Sequence, residues 1–557
     1  MRKISPIPLF LALPAAFAAQ SVPGPGFCDK VAPIFSQHCV KCHRPGAIAA
    51  HASFLSYENI RPWAKTIRQK VMLREMPPWP PDPRASLPFR NDARLREDEI
   101  RAIVSWVDAG APKGGSCPDA ASVSAPVWLN PSGAPPDAVV TLPEVEIPAH
   151  GDFPYVSEFV KVPFAEDKWI SAMQVLPSNA AVVHHMAITE VVAAPRFGPD
   201  SSPLAALARQ SGFPNDVIMR EPAVRVPGDS AAYDMFGAYT PGASFEGYPE
   251  GFARLLKGGP DLYLDFNIHY QPIGTPQKDH SVLALWFAPH APAAQLWRAN
   301  GAGESVIVNG QPLLTDAPGE KAEGNSAPFP PIRPNQADYE IIGMSAYTRP
   351  VTIYQLHPHG HYRAVAFNYS VVGADGTERT LLTIPKYDFH WQLSYDLAEP
   401  LELAAGAKLV VAAHYDNSVN NPGNPAPASE VRFLASGNRG IDEMFTPFVQ
   451  YAWRPGNPLP IVDAIGCLDQ TADGAWSLTR AGDPSESPSQ AASMAELKAD
   501  AAKPLGDRAY QLLGVRFFRP DRWKGQKVSA KGVLIPAARL RRLNVTSLQP
   551  LSAACNQ

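Results

Sequence analysis

At 557 residues the chain is too long for a single core, and length alone points to about three to five domains. A net charge of -4 with no long run of one sign excludes the electrostatic footprint of a nucleic-acid binder. Proline supplies 61 of the residues, about double its average usage of roughly 5%, beside 39 glycines and an ordinary 45% hydrophobic content. That balance favours β-domains with many turns and stiff connections, with helix as the minority structure.

The N-terminus reads as an export signal. Arg2 and Lys3 precede a mostly apolar run from Ile4 to Ala15, and Ala16-Phe17-Ala18 fits a small-x-small cleavage site. A membrane anchor is disfavoured because the run is short and carries Pro6, Pro8 and Pro14. No later segment reaches the ~20 apolar residues of a spanning helix. The expectation is loss of residues 1–18 and a periplasmic or secreted mature protein without a transmembrane segment. Six cysteines in an oxidising compartment should then be paired or otherwise occupied.

Residues 25–117 hold Cys39-Val40-Lys41-Cys42-His43. C-x-x-C-H attaches a c-type haem: two thiols bond its vinyl groups and the histidine is one axial ligand. A redox dithiol or a zinc half-site would use the same cysteines, but the adjoining His43 and the export signal favour haem. Val31, Ile34, Phe35 and His38 follow helical spacing straight into the motif. Ile100, Ile103, Val104 and Val107 repeat it, with Gly110 placed to end that second helix. Met76, in Arg74-Glu75-Met76-Pro77-Pro78-Trp79, is the leading second axial ligand; Met72 reads as core, and His51 is a weaker contender. The segment resembles small bacterial cytochrome c domains, in its Met-Pro-Pro-Trp loop and in its last helix, Trp106-Val107-Asp108-Ala109-Gly110-Ala111. Cys28 and Cys117 bracket it as a disulfide pair.

Residues 118–137, rich in Ser, Ala and Pro, read as a linker. Short β-like runs then recur over residues 138–295, broken by Pro and Gly: 139–147, 155–162, 169–176 and 182–192. This region contains Val182-Val183-His184-His185-Met186 and later Ile268-His269-Tyr270. Residues 296–338 read as a second polar, Pro-rich connection. A second β-region over 339–455 contains His357-Pro358-His359-Gly360-His361, then Asp388-Phe389-His390-Trp391-Gln392, His414, and Asp442-Glu443-Met444.

The order His-His-Met, Ile-His-Tyr, H-x-H, Asp-Glu-Met resembles the copper type II ascorbate-dependent monooxygenases, the family of peptidylglycine α-hydroxylating and dopamine β-monooxygenases. The match spans roughly residues 138–455. It implies two jelly-roll-like antiparallel β-sandwiches with two separated coppers, one in each. His184, His185 and His269 would hold the electron-transfer copper, and His359, His361 and Met444 the copper that binds O2 and substrate. Two imidazoles and a thioether favour Cu(I), since soft sulfur prefers the soft ion. Adjacent residues such as His184 and His185 point to opposite faces of a strand, so both reach one metal only at a strand end or a bulge.

Within the cluster, counting back from Phe367 puts the H-x-H pair at His359 and His361, leaving His357 as the extra histidine. A slip to His357 and His359 stays open, because Pro358 and Gly360 disturb regular strand geometry. His390 and His414 read as structural or as partners of ligands. A blue-copper site needs a Cys thiolate, and residues 118–466 contain no cysteine. The animal enzymes are rich in disulfides there, so the scaffold differs. Residues 461–557 lack His, contain strand-like runs and one Ala-rich stretch from Gln490 to Ala502, and suggest a small β-barrel closed by Cys467 and Cys555.

Together these readings give an exported multidomain, mainly β protein with a covalent haem c and two copper ions. The expected reaction is O2-dependent hydroxylation of a C–H bond in a small-molecule substrate, with electrons from ascorbate or a redox protein relayed through the fused haem. The alternative is a non-catalytic periplasmic electron-transfer or copper-handling protein.

Overall fold

The computed structural model describes residues 25–115, 117, 128–151, 153, 155–195, 217–222, 234–303, 305–316, 329–433, 440–536 and 541–555. The proposed leader 1–18 and most of the 118–137 linker lie outside them. Strand accounts for 40% of the structure and helix for 13%, so the mainly β reading holds. No helix among the described residues is long and apolar enough to cross a membrane.

The chain divides into two compact units. The first comprises residues up to Val40, Ala52–Pro77 and Arg94–Ser124. Its helices Ala32–His38, Ala64–Met72 and Glu97–Asp108 bury Val31, Phe35, Ile67, Val71, Ile103 and Trp106 in one core. Gly110, at φ +87°, ends the last helix in the left-handed conformation that glycine adopts at least cost. Met72 is 52% exposed, so it is not the core residue that its side chain suggested. Cys28 and Cys117 are disulfide-bonded as expected.

The second unit takes residues Lys41–His51, Pro78–Ala93 and everything from Ala125. The segment Pro78–Ala93, read above as part of the haem domain, runs along strands of this unit. Its main chain bonds to Thr383 O (2.8 Å), Leu381 O (2.9 Å) and Asp396 O (2.8 Å), and Trp79 and Phe89 pack on Tyr395. Apolar residues alternating with polar ones in this stretch need a partner surface, and the sheet supplies it.

Two pairs of sheets form the body of the unit. A five-stranded sheet in the order Val156–Lys161, Leu262–Tyr270, Val183–Pro195, Val217–Pro222, with Met235–Tyr239 also on Val183–Pro195, faces strands Ala138–Thr141, Val282–Phe287 and Lys168–Leu176. Ile188, Phe266 and Ile268 from one side meet Ile170, Val175 and Leu285 from the other in a shared core. A six-stranded sheet containing Tyr339–Ala346, Lys408–Tyr415, Ala364–Val372 and Glu378–Ile384 faces strands Ala294–Asn300, Phe448–Trp453, Val351–His357 and Tyr395–Leu403 over a second core.

The two halves are not separated by a linker. Their facing layers form one continuous nine-stranded sheet, joined where Ala294 and Gln295 pair parallel with Phe252 and Ala253. The stretch 296–338, read as a connection, accordingly carries strand Ala294–Asn300 and then Ser305–Val308 and Gln311–Pro312. Its polar and Pro-rich texture misled because Arg298 and Asn300 are strand residues paired with Gln450 and Phe448.

Period-two alternation explains how the middle sheet is covered twice. In Lys408–Tyr415, Leu409, Val411, Ala413 and Tyr415 face the second core, while Val410 faces the C-terminal region. That region has strands Ile461–Gln470, Trp476–Ala481, Arg508–Leu513, Arg542–Ser552 and Lys527–Ile535, whose pairings return to the first strand through Leu468 and Leu478. The ring of pairings leaves few free edges. The Ala-rich stretch forms helix Met494–Ala501, started by a capping box between Ser493 and Glu496. Cys467 and Cys555 are disulfide-bonded.

Candidate metal centre

Strands Val183–Pro195 and Leu262–Tyr270 pair antiparallel up to His185 opposite His269, and the next pair is Val183 opposite Tyr270. His184 is therefore the extra residue of a β-bulge. A bulge rotates one side chain out of alternation, and here it places adjacent histidines on the same side. The Nδ1 atom of His184 lies 3.1 Å from that of His185 and 3.2 Å from that of His269. Ligand nitrogens held about 2.0–2.1 Å from one tetrahedral ion lie about 3.3 Å apart, so these three fit a single metal ion. The rings are 3%, 7% and 7% exposed. Burial pushes all three pKa values down, that of His184 to about 3, so the imidazoles are neutral with lone pairs available at neutral pH.

The H-x-H pair sits in the loop after strand Val351–His357, before the chain resumes as a strand at Ala364. His361 Nδ1 donates to the carbonyl of Asp442 at 2.8 Å, which leaves Nε2 as its lone-pair atom. His359 Nδ1 bonds Gln392 Oε1. The Gln392 amide is oriented independently, because its Nε2 donates to the carbonyl of Phe389 at 3.1 Å. His359 must then be the donor in its own bond, and its Nε2 too is the free nitrogen. Burial lowers His359 to about 4 and His361 to about 3, so both are neutral.

Glu443 shapes this loop. Its fully buried carboxylate accepts the main-chain N–H of His361 (2.9 Å) and Met444 (3.2 Å) on one oxygen and of Arg363 (2.6 Å) on the other. Desolvation pushes its pKa up to about 7 against those bonds. Tyr387 donates to Gly360 O at 3.1 Å, and Tyr415 to Met444 O at 2.9 Å. A Cβ at Gly360 would fall 2.7 Å from the Ala364 methyl, so the middle residue of H-x-H has to be small here. Met444 is buried beside this loop, its carbonyl 3.4 Å from that same point.

The two histidine groups adjoin. The resemblance implied separated centres, but the His185 and His359 rings are 5.6 Å apart between centroids. Gln392 spans them, its Nε2 lying 3.4 Å from His185 Nδ1. Tyr155 lies flat on His269 (4.5 Å, 9°) with its hydroxyl 3.3 Å from His361 Nε2. Phe389 packs against His184, His269 and His361.

His357 is elsewhere. Its Nδ1 bonds Ser394 Oγ at 3.0 Å, and its ring packs on Phe448 and borders a separate cavity. Of the His357-Pro358-His359-Gly360-His361 cluster, His359 and His361 are the ones gathered with the three-His group, and the His390 ring also lies 5.9 Å from that of His184. His390 is half exposed and pairs with Asp388 at 2.8 Å, which raises its pKa. His414 is 44% exposed on Asp338.

The haem-type residues divide between the units: Cys39 and Met76 belong to the first, Cys42 and His43 to the second. Cys39 and Cys42 take part in neither disulfide. Cys39 follows helix Ala32–His38, with its N–H on Phe35 O.

Three neighbours of the metal centre escaped the sequence reading as functional residues: Tyr155, Gln392 and Glu443. Glu443 and Gln392 lie inside motifs already noted, but only the fold shows what they touch. Tyr155 gave no signal. No protein-family model matches the chain, and no curated protein matches it in sequence.

Proposed function

We propose that the chain is an exported copper-dependent monooxygenase, hydroxylating a C–H bond of a small molecule with O2. The carrying observation is the donor set: three converging Nδ1 atoms and, one amide away, two Nε2 lone pairs. All five donors are neutral imidazoles, a ligand type suited to copper or zinc, and the buried Met444 thioether would tilt the second site towards Cu(I). Bound copper would supply one-electron redox chemistry with O2, one electron from each ion.

The chain's own residues prepare that site. Gln392 and Asp442 hold protons on the Nδ1 atoms of His359 and His361, presenting the Nε2 atoms. Glu443 fixes the loop backbone. Phe389 and Tyr155 pack over the rings and exclude water, and the Tyr155 hydroxyl can donate a hydrogen bond to the lone pair of His361 Nε2. Cys39, Cys42, His43 and Met76 would hold a c-type haem, which would supply one-electron redox chemistry, with ascorbate or a redox protein as the source of electrons.

Metal analysis with electron paramagnetic resonance tests the reading. Two type II coppers and one low-spin haem are expected, with substrate-coupled O2 uptake lost in Met444→Ala while the three-His copper stays bound. Zinc in place of copper overturns it. The near-complete burial of all five imidazoles, none more than 9% exposed, equally suits a non-catalytic electron store. Reduced protein that consumes no O2 with any substrate would select that second reading.

A further inference from the structure

His357, the histidine excluded from the metal centre, borders a cavity of about 560 Å3, within the ordinary size range for a small-molecule site. Its lining includes the aromatic residues Phe245, Tyr248 and Tyr354. It also includes planar polar groups: Glu246, Gln355, Asp396, Gln450 and Asn91, with Arg90.

The charges around this space are already answered. Glu246 Oε1 accepts from Arg298 Nη2 at 2.5 Å and from Gln450 Nε2 at 2.7 Å. Arg298 also donates to Gln355 Oε1 at 2.9 Å, and Gln355 Nε2 donates to Asp396 Oδ1 at 2.8 Å. Arg90 lies 3.7 Å from Asp396 Oδ2. A charged ligand entering here would find no uncompensated partner and would lose its hydration. Hydrogen-bonding capacity is left over on both sides. Glu246 Oε2 takes no hydrogen bond among the described residues, and the Arg90–Asp396 distance is too long for one. Gln450 and Asn91 each use a side-chain N–H on a single partner and have a second to give. His357, bonded through Nδ1, retains Nε2. Leftover acceptors beside leftover donors suit a group that does both, and the hydroxyl is that group. The aromatic rings of the lining offer apolar surface for the C–H face of a ring compound.

We propose that this cavity binds an uncharged, polyhydroxylated small molecule of about monosaccharide size. Binding stands independently of the metals. No proposed metal donor lines the cavity, so the proposal concerns binding alone.

Calorimetric titration of the full chain, metal-free and copper-loaded, provides the test. The probes are myo-inositol, D-glucose, cyclohexanol, cyclohexylamine and cyclohexanecarboxylate. The two polyols should saturate at millimolar concentration, and the other three should bind at least about tenfold more weakly, as expected when hydroxyl partners are left unpaired. Asp396→Asn turns an acceptor into a donor and Gln450→Ala removes a donor; each should weaken polyol binding about tenfold. Thermal midpoints identify a variant that has merely unfolded, and the second variant then decides. Tighter binding of the amine or the carboxylate, polyol affinity unchanged in folded variants, or no polyol binding by metal-free protein overturns the proposal. The metal-free titration is read without copper, so it fails separately from the oxidation chemistry.

Discussion

Tyr155→Phe separates the two states of the metal centre. The Tyr155 hydroxyl lies 3.3 Å from His361 Nε2, the lone-pair atom that would bind a metal. The bond and the metal compete for one lone pair. Deleting the hydroxyl should therefore destabilise the metal-free protein and leave the loaded protein nearly unchanged, because the ring still stacks on His269. A neutral hydrogen bond contributes about 0.5–1.5 kcal/mol net, and the long distance puts this one in the lower half of that range. A loss of about 0.5–1 kcal/mol from the empty state alone corresponds to copper binding about two- to fivefold tighter. Competition with a chelator of known affinity measures the change, with the three-His site filled first. Denaturant unfolding of the metal-free variant should show the matching destabilisation. Weaker copper binding in Tyr155→Phe would refute the competition argument and make the hydroxyl a supporter of the bound metal.

Two further expectations concern the scaffold. Asp463 and Asp500 neighbour each other in the C-terminal region, and burial, then Asp500, push Asp463 to about 7. An acid whose folded pKa is raised stabilises fully below its unfolded pKa, and that stability is lost as pH rises through the folded value. Stability should thus fall between the ordinary carboxylate range and about pH 7, and Asp463→Asn should flatten that slope in urea titrations at several pH values. Gly303 has φ +60°, and a Cβ there would meet Met344 O at 2.2 Å. Gly303→Ala should cost more than about 2 kcal/mol by denaturant midpoint, since strain and a main-chain clash add; a midpoint matching the parent contradicts the packing described.

What the sequence disclosed follows from what is local. The helices around Phe35 and Ile103 and the strands of the β-regions carry their periodicity in the chain, and both cysteine pairs bracket their own segments. The need for a bulge at His184-His185 followed from strand geometry, but its register depended on Leu262–Tyr270, a strand nearly 80 residues away in sequence order. The continuous sheet was not legible. It rests on a two-residue parallel pairing, Ala294–Gln295 with Phe252–Ala253, that no pattern marks. The adjacency of the two histidine groups depends in turn on Gln392 and Tyr155, from different sheets' neighbourhoods, meeting over the same rings. Long-range contacts of single polar side chains leave no period to read.

The shared sheet also has a mechanical consequence for the proposed copper chemistry. A hinge between the two histidine-bearing halves would have to tear main-chain hydrogen bonds at residues 251–253 and 293–295. It would also have to unseat Arg298, nearly fully buried, whose guanidinium holds Glu246 of the other half and whose N–H bonds Asp234 at 2.8 Å. Stripping a buried charge of its partner costs about 3–5 kcal/mol. On the proposed copper reading, the gap between the two groups would thus be set by a lattice of bonds and not by a swing of domains.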